Sequence, residues 1–367
     1  MQDRAPKLKK QTTDRTRNTR GKMSLYSEIL EQPDRLEKLL KLQRKTVEEI
    51  AGAIKARNIS YVFLAARGTS DNAGRYANYL LGAMNQLPLA LATPSLFTYY
   101  QQPPNLKGAL VIGISQSGQS PDIVSVLKEG KRQGCLTLAI TNAPDSPLAG
   151  EADFTLDIQA GPELAVAATK TYTAELMIIA MLSAALHEDR ASWQSLEKIP
   201  TWVSETLKHD PTISEAAERY RYMQQCVILG RGYNYSTAFE WALKLKELCY
   251  VEAEPYSSAD FQHGPIAIVA HGFPVMAVIM AGKVADSLMP LLTHLKQDLS
   301  AELVIISNLD QALSIGKIGF SISQKIPEYL TPLVSIVPGQ LFSYYLTLAK
   351  GFDPEKPRTL SKVTETR

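Results

Sequence analysis

The segment with the clearest chemical character is Ser115-Gln116-Ser117-Gly118-Gln119-Ser120, which follows the apolar stretch ALVIGI and precedes Pro121-Asp122, a helix-start signature. Three serines at a strand-to-helix turn supply neutral hydrogen-bond donors beside a helix N-terminus, where free N–H groups and partial positive charge favour an anion. Capping and turn formation remain the plainer reading of any one serine. A cap needs only one hydroxyl, however, and this cluster suits phosphate better. The turn Arg67-Gly68-Thr69-Ser70-Asp71-Asn72 has a similar character and is weak by itself.

Proton-transfer residues gather further along, in ALKLKELCYVEAEPYSSADFQHGP. Lys244 and Glu247 lie there ahead of a loop that carries His263 before Gly264-Pro265. A carboxylate, an amine and an imidazole are the parts needed to open a sugar ring and move a proton. On spacing alone, Lys244 and Glu247 equally describe a surface salt pair of small value on one helix face. His263 equally describes a loop histidine held by its backbone.

Elements of two kinds must position these residues. The runs YVFLAA, ALVIGIS, LTLAIT and FTLDI alternate with amphipathic stretches from about Asp71, from about Pro121 and through Met181. Such alternation predicts a parallel sheet with helices on both faces. Leu30, Leu36, Leu39, Leu40, Leu42, Val47, Ile50 and Ile54 are read at helical spacing, so a helical lead-in precedes the sheet, with Pro33-Asp34 suiting the start of a second helix. A second series, CVILGRG, FPVMAVIMAG and ELVIISN, follows. Arg67-Gly68 maps on Arg231-Gly232, and Gly118 and Asp122 map on Gly282 and Asp286, all at one offset, which reads as a duplicated domain. The second-half turns, Arg231-Gly232-Tyr233-Asn234-Tyr235 and Ala281-Gly282-Lys283-Val284, lack clustered serines, so the phosphate site is expected in the first half alone.

The expected organisation is a flexible basic tail (1–22), a helical lead-in with the first α/β domain (23–195), a linker helix (196–225), a second domain (226–348) and a C-terminal tail (349–367). With 367 residues, 45% apolar and 21% charged, the chain can bury two ordinary cores. A net charge of +2, much of whose positive excess lies in the first twenty-two residues, makes nucleic acid an unexpected partner of the body. Cys135, Cys226 and Cys249 show no paired spacing, which suits buried thiols in a reducing compartment, without disulfide or metal site. No apolar run spans a bilayer and no secretory core opens the chain, so the expectation is a soluble, cytoplasmic protein without membrane contact.

The strings EILEQP, ARGTSDNA, GISQSGQSPDIV, GPELAVAATKTYTAEL, AFEWALKLKELCYVEAE, HGPIAIV and DPEKPRTLSKVT occur in that order. In this the chain resembles the sugar isomerase (SIS) domain family, as found in the isomerase half of glucosamine-6-phosphate synthase and in stand-alone glucosamine-6-phosphate deaminases. The resemblance runs from about Tyr26 to Arg367. It implies two tandem flavodoxin-like three-layer (αβα) domains with parallel sheets, and a homodimer whose active sites are shared through a histidine-bearing loop.

Carried over by position, the resemblance makes Ser115, Gln116, Ser117 and Ser120 the phosphate cradle. Thr69, Ser70, Val166, Ala168 and Thr169 line the sugar site. Glu247 becomes the base that shuttles a proton between C1 and C2, His263 the ring-opening acid-base and Lys244 its assistant. Lys362 becomes the tail lysine that forms a Schiff base with the open-chain ketose or helps close the pocket.

The synthase carries a glutaminase nucleophile, a cysteine at its second residue, where this chain has Gln2. The expectation is therefore a glucosamine-6-phosphate deaminase, giving fructose 6-phosphate and ammonia with no cofactor and no metal. Galactosamine 6-phosphate deamination, fructosamine-phosphate deglycation and simple aldose/ketose isomerisation are the neighbouring enzyme alternatives. A non-catalytic sugar-phosphate sensor is the alternative of another class.

Overall fold

The structure, a computed structural model, describes residues 24–362. The expected basic tail, residues 1–22, and the last five residues of the expected C-terminal tail lie outside the described residues.

Helices α1 (Leu25–Leu30) and α2 (Gln32–Lys55) lead in. Ser24 caps α1, exchanging hydrogen bonds with Ser27, and Pro33 enters at the first turn of α2, where a missing N–H costs nothing. The first α/β unit then runs β1 (Tyr61–Ala65), α3 (Gly68–Asn85), β2 (Leu89–Leu91), α4 (Ser95–Thr98), β3 (Ala109–Ile114), α5 (Pro121–Arg132), β4 (Leu136–Thr141), α6 (Pro147–Glu151), β5 (Phe154–Asp157) and α7 (Lys170–His187). Three helices follow: α8 (Arg190–Leu196), α9 (Ile199–Leu207) and α10 (Asp210–Arg219). The second unit runs β6 (Gln225–Gly230), α11 (Tyr235–Cys249), β7 (Glu252–Ser257), α12 (Ser258–Gln262), β8 (Pro274–Ile279), α13 (Ala285–Gln297), β9 (Glu302–Ser307), α14 (Asp310–Ile315), β10 (Ile318–Ser321) and α15 (Pro332–Ala349).

Both sheets are five-stranded and every pairing is parallel. The orders β2-β1-β3-β4-β5 and β7-β6-β8-β9-β10 are the same order of corresponding strands, so the duplication read from the sequence holds in topology. Each sheet reverses its winding once, between β1 and β3 and between β6 and β8. Loops at the carboxyl ends of those strands border the crevice where open α/β sheets bind ligands.

β3 and β8 are buried along their whole length, as apolar strands covered on both faces must be. Helices α7 and α15 are buried on nearly every side rather than on one stripe. They lie within one apolar core that extends through both units, from Ile112 and Tyr172 to Trp241 and Phe342. Gly339 of α15 admits the Trp241 ring: a Cβ there would stand 2.9 Å from its Cγ.

Candidate active site

Three elements carry the site: the loop after β3, the first turn of α3 at the end of β1, and one face of α11. In the serine loop, Gly118 takes φ +63°, and a Cβ at that position would fall 2.0 Å from Ser146 Oγ, so only glycine lets the loop close against α6. Thr141 Oγ1 donates to the Gln116 carbonyl (3.4 Å), as does the Asn142 N–H (3.1 Å), fixing the loop to the end of β4. The Gly118 N–H donates to Ser115 Oγ (3.1 Å) and the Gln119 N–H to Ser117 Oγ (3.3 Å), while Ser115 and Ser120 hydroxyls lie 3.5 Å apart. Ser115 and Ser117 thus act as acceptors within the loop, and either hydroxyl of the Ser115–Ser120 pair can be its donor. Arg67 Nε donates to buried Asp122 (2.8 Å), tying the β1 and β3 loops together.

Glu240, Lys244 and Glu247 recur at helical spacing along one face of α11, which packs on α3. Lys244 Nζ donates to Glu247 Oε2 (2.5 Å) and reaches Glu240 Oε1 and Thr69 Oγ1, both at 3.4 Å. Glu240 is further held by Thr69 Oγ1 (3.2 Å) and Asn72 Nδ2 (2.8 Å) from α3. The Lys244 side chain is 1% exposed and that of Glu247 24%, so the surface salt pair allowed by spacing is instead a buried network linking the two units.

A second buried group surrounds the start of α7. Glu163, in the loop after β5, accepts from the N–H groups of Thr169 (3.0 Å) and Thr171 (3.2 Å) and from Thr171 Oγ1 (2.9 Å). It also receives Lys362 Nζ at 2.6 Å, so the tail lysine enters a pair with a fully buried carboxylate. Val166 and Ala168 are half-buried in the same loop. Thr169 Oγ1 has no partner among the described residues. Glu175 sits one turn into α7, with Ser70 Oγ 2.8 Å from its Oε1.

Burial dominates the electrostatics, because it penalises charge unless a partner compensates. It pushes Glu175 up to about 8, helped by Glu163 and Glu240 and opposed by Ser70 and Lys362. It pushes Glu240 up to about 7, against Lys244 and Asn72. Burial alone would lower Lys244, but Glu240 and Glu247 together outweigh it and hold the amine protonated above its ordinary range. The centre therefore contains both a fixed cation and carboxyl groups that titrate near neutrality, a combination suited to proton transfer.

Thr69, Lys244 and Glu247 are brought together, and Ser70, Thr169 and Lys362 meet carboxyl groups that the sequence reading passed over. His263 is not brought in. It ends α12 with its ring exposed and forms no side-chain hydrogen bond or ion pair among the described residues. Glu240 was detectable, since it lies four residues before Lys244 on the same helical face; Glu163 and Glu175 carried no such local signal. Among the described residues no group of three or more His, Cys, Asp and Glu side chains could hold a metal ion, and no helix is long and apolar enough to cross a membrane.

The SIS domain matches the chain twice, over residues 55–185 and 222–350. The isomerising glutamine–fructose-6-phosphate aminotransferase of Aquifex aeolicus (strain VF5) is 34% identical over 342 residues, which cover 92% of this chain and 57% of that protein. The chain thus spans little more than half the length of such relatives. The C-terminal domain of glucosamine-fructose-6-phosphate aminotransferase from Francisella tularensis superposes with a TM-score of 0.82 at 27% identity, covering 93% of this chain and 100% of that one. Glucosamine-6-phosphate deaminase from Thermotoga maritima shares the fold, with a TM-score of 0.77 at 20% identity over 93% of this chain and 99% of that one. Two tandem matches on two identically ordered parallel sheets make this chain a member of the SIS domain family.

Proposed function

We propose that this chain is an isomerising glucosamine-6-phosphate deaminase, converting glucosamine 6-phosphate and water to fructose 6-phosphate and ammonia. The observation that carries the reading is the buried Lys244 held between Glu240 and Glu247 beside Thr69, in a member of a sugar-phosphate family. The serine loop anchors the phosphate through Ser115, Gln116, Ser117 and Ser120, and this remote binding orients the reacting carbons. Thr69, Ser70, Val166, Ala168 and Thr169 line the sugar site.

His263, supplied by a second copy of the chain, assists ring opening. Glu247 then takes the proton from C2 and returns it to C1 through an enolamine, while protonated Lys244 stabilises the carboxylate before the first transfer and after the second. Water adds to the resulting C2 imine, the amine leaves as ammonia, and the ketose remains. Lys362 closes the pocket from the tail; a Schiff base to the open-chain ketose is its alternative role.

Cys135, Cys226 and Cys249 are all buried, and burial raises each thiol, Cys249 to about 12, so none of the three takes part in the proposed reaction as a nucleophile. Isomerisation without amine loss would use the same residues. The test is ammonia release from glucosamine 6-phosphate with fructose 6-phosphate measured in parallel, beside Glu247→Gln. Equal amounts of both products, lost at least a hundredfold in the variant, are expected. Interconversion of aldose and ketose phosphates without ammonia would replace the deaminase by an isomerase, and binding without turnover would favour a sensor.

A further inference from the structure

Ser70 carries a single hydrogen, and Glu175 decides where it points. Their oxygens are 2.8 Å apart, with the residues 7% and 1% exposed, and Glu175 Oε2 has no partner among the described residues. Ser70 lies in the first turn of α3, beside the serine loop across the β1–β3 switch point. A phosphate dianion offers only acceptors. If Glu175 is ionised, it accepts the one Ser70 hydrogen, and Ser70 turns a lone pair towards any phosphate. If Glu175 is protonated, it donates to Ser70, which is then free to donate onward.

We propose that Glu175 is a positioning residue whose carboxyl proton sets Ser70, which lines the sugar site next to the serine loop, as a donor to the ligand's phosphate, so that sugar-phosphate binding is linked to protonation of this carboxyl group. The inference rests on the proposed sugar-phosphate site and adds to it a linkage between binding and pH.

The charged groups acting on Glu175 come from three directions: Glu163 ahead of α7, Glu240 on α11 and Lys362 of the tail. Tyr172 lies near it on α7 itself. On the side of α2, Lys170 is closed into its own pair with Glu31 (3.0 Å), and α15 brings the neutral amide of Gln340. Burial, reinforced by Glu163 and Glu240, puts the Glu175 titration at about 8. The proton is therefore in place below that pH and is lost above it. A sugar phosphate is already a dianion there, its second ionisation lying near pH 6, so the ligand contributes little to a change between pH 7 and pH 9.

The test is calorimetric titration of the full-length protein with fructose 6-phosphate at pH 7, 8 and 9. Wild type is expected to bind about tenfold more weakly at pH 9 than at pH 7. In Glu175→Gln the amide donates to Ser70 at every pH, and in Ser70→Ala the messenger hydroxyl is gone, so both affinity ratios should fall to about one. Wild-type binding of equal strength at pH 7 and pH 9 overturns the inference and leaves the site standing. A decline that persists in Glu175→Gln also overturns it, assigning the titration to another group such as Glu240. Failure of wild type to bind fructose 6-phosphate at any of these pH values overturns the site and the inference together. Should Glu175→Gln not fold, wild-type titrations at pH 9 in two buffers of different ionisation enthalpy decide the matter: uptake of about one proton supports the linkage, and none overturns it.

Discussion

At the scale of single residues, the site is governed by which groups keep a charge when buried. Lys244 retains its proton because two carboxylates outweigh the cost of its burial. Removing it leaves Glu240 buried without its cation, and breaking a buried pair from one side is costly. Lys244→Met is accordingly expected to destabilise the protein by about 3–5 kcal/mol, read from its urea midpoint, and Glu240→Gln in the same chain should recover part of that loss. An equal loss in the double variant would mean that Lys244 acts through packing alone. Lys244 and Glu247 were legible as a pair from their spacing. Their burial was not, because it depends on α3 covering that face of α11.

At the scale of elements, the turn after β3 gathers the proposed phosphate ligands in a short stretch of backbone. Gly118→Ala would place a methyl group against Ser146 in a left-handed conformation that costs about 1–2 kcal/mol for a non-glycine residue before any clash is counted. We expect fructose 6-phosphate affinity to fall at least tenfold in titration calorimetry, with circular dichroism unchanged. Gly134→Ala supplies the control: φ is +75° there but a Cβ meets nothing within 4 Å, so strain is felt without loss of binding. Retained affinity in Gly118→Ala would remove the loop from the site. The serine turn and its flanking strand and helix were legible because all their signals are local. β7 was not: EAEPYS lies in a stretch read as a loop, because an edge strand can carry charge and proline that an inner strand excludes. β2, also at an edge, is three residues long and too short to leave a pattern.

At the scale of the whole molecule, the first unit bears the serine loop and the second the face of α11, so the proposed site draws on both. His263 is exposed, with no side-chain bond to that face, which fits donation of its loop to a second copy of the chain. If sites are shared in this way, mixing inactive Glu247→Gln and His263→Ala proteins under exchange conditions should restore about a quarter of wild-type ammonia release, since half the dimers are mixed and each holds one intact site. No recovery from a verified mixed dimer would confine each site to one chain. The sequence by itself determined the duplicated α/β architecture, the serine turn and the pairing of Lys244 with Glu247, because periodicity, turn chemistry and helical spacing are properties of neighbouring residues. Only the tertiary structure decided that Glu163 meets Lys362, that Glu175 meets Ser70, and that Glu240 joins α11 to α3. The protonation of a buried carboxyl group depends on desolvation and on charges brought from distant parts of the chain, and neither is written in the residues beside it.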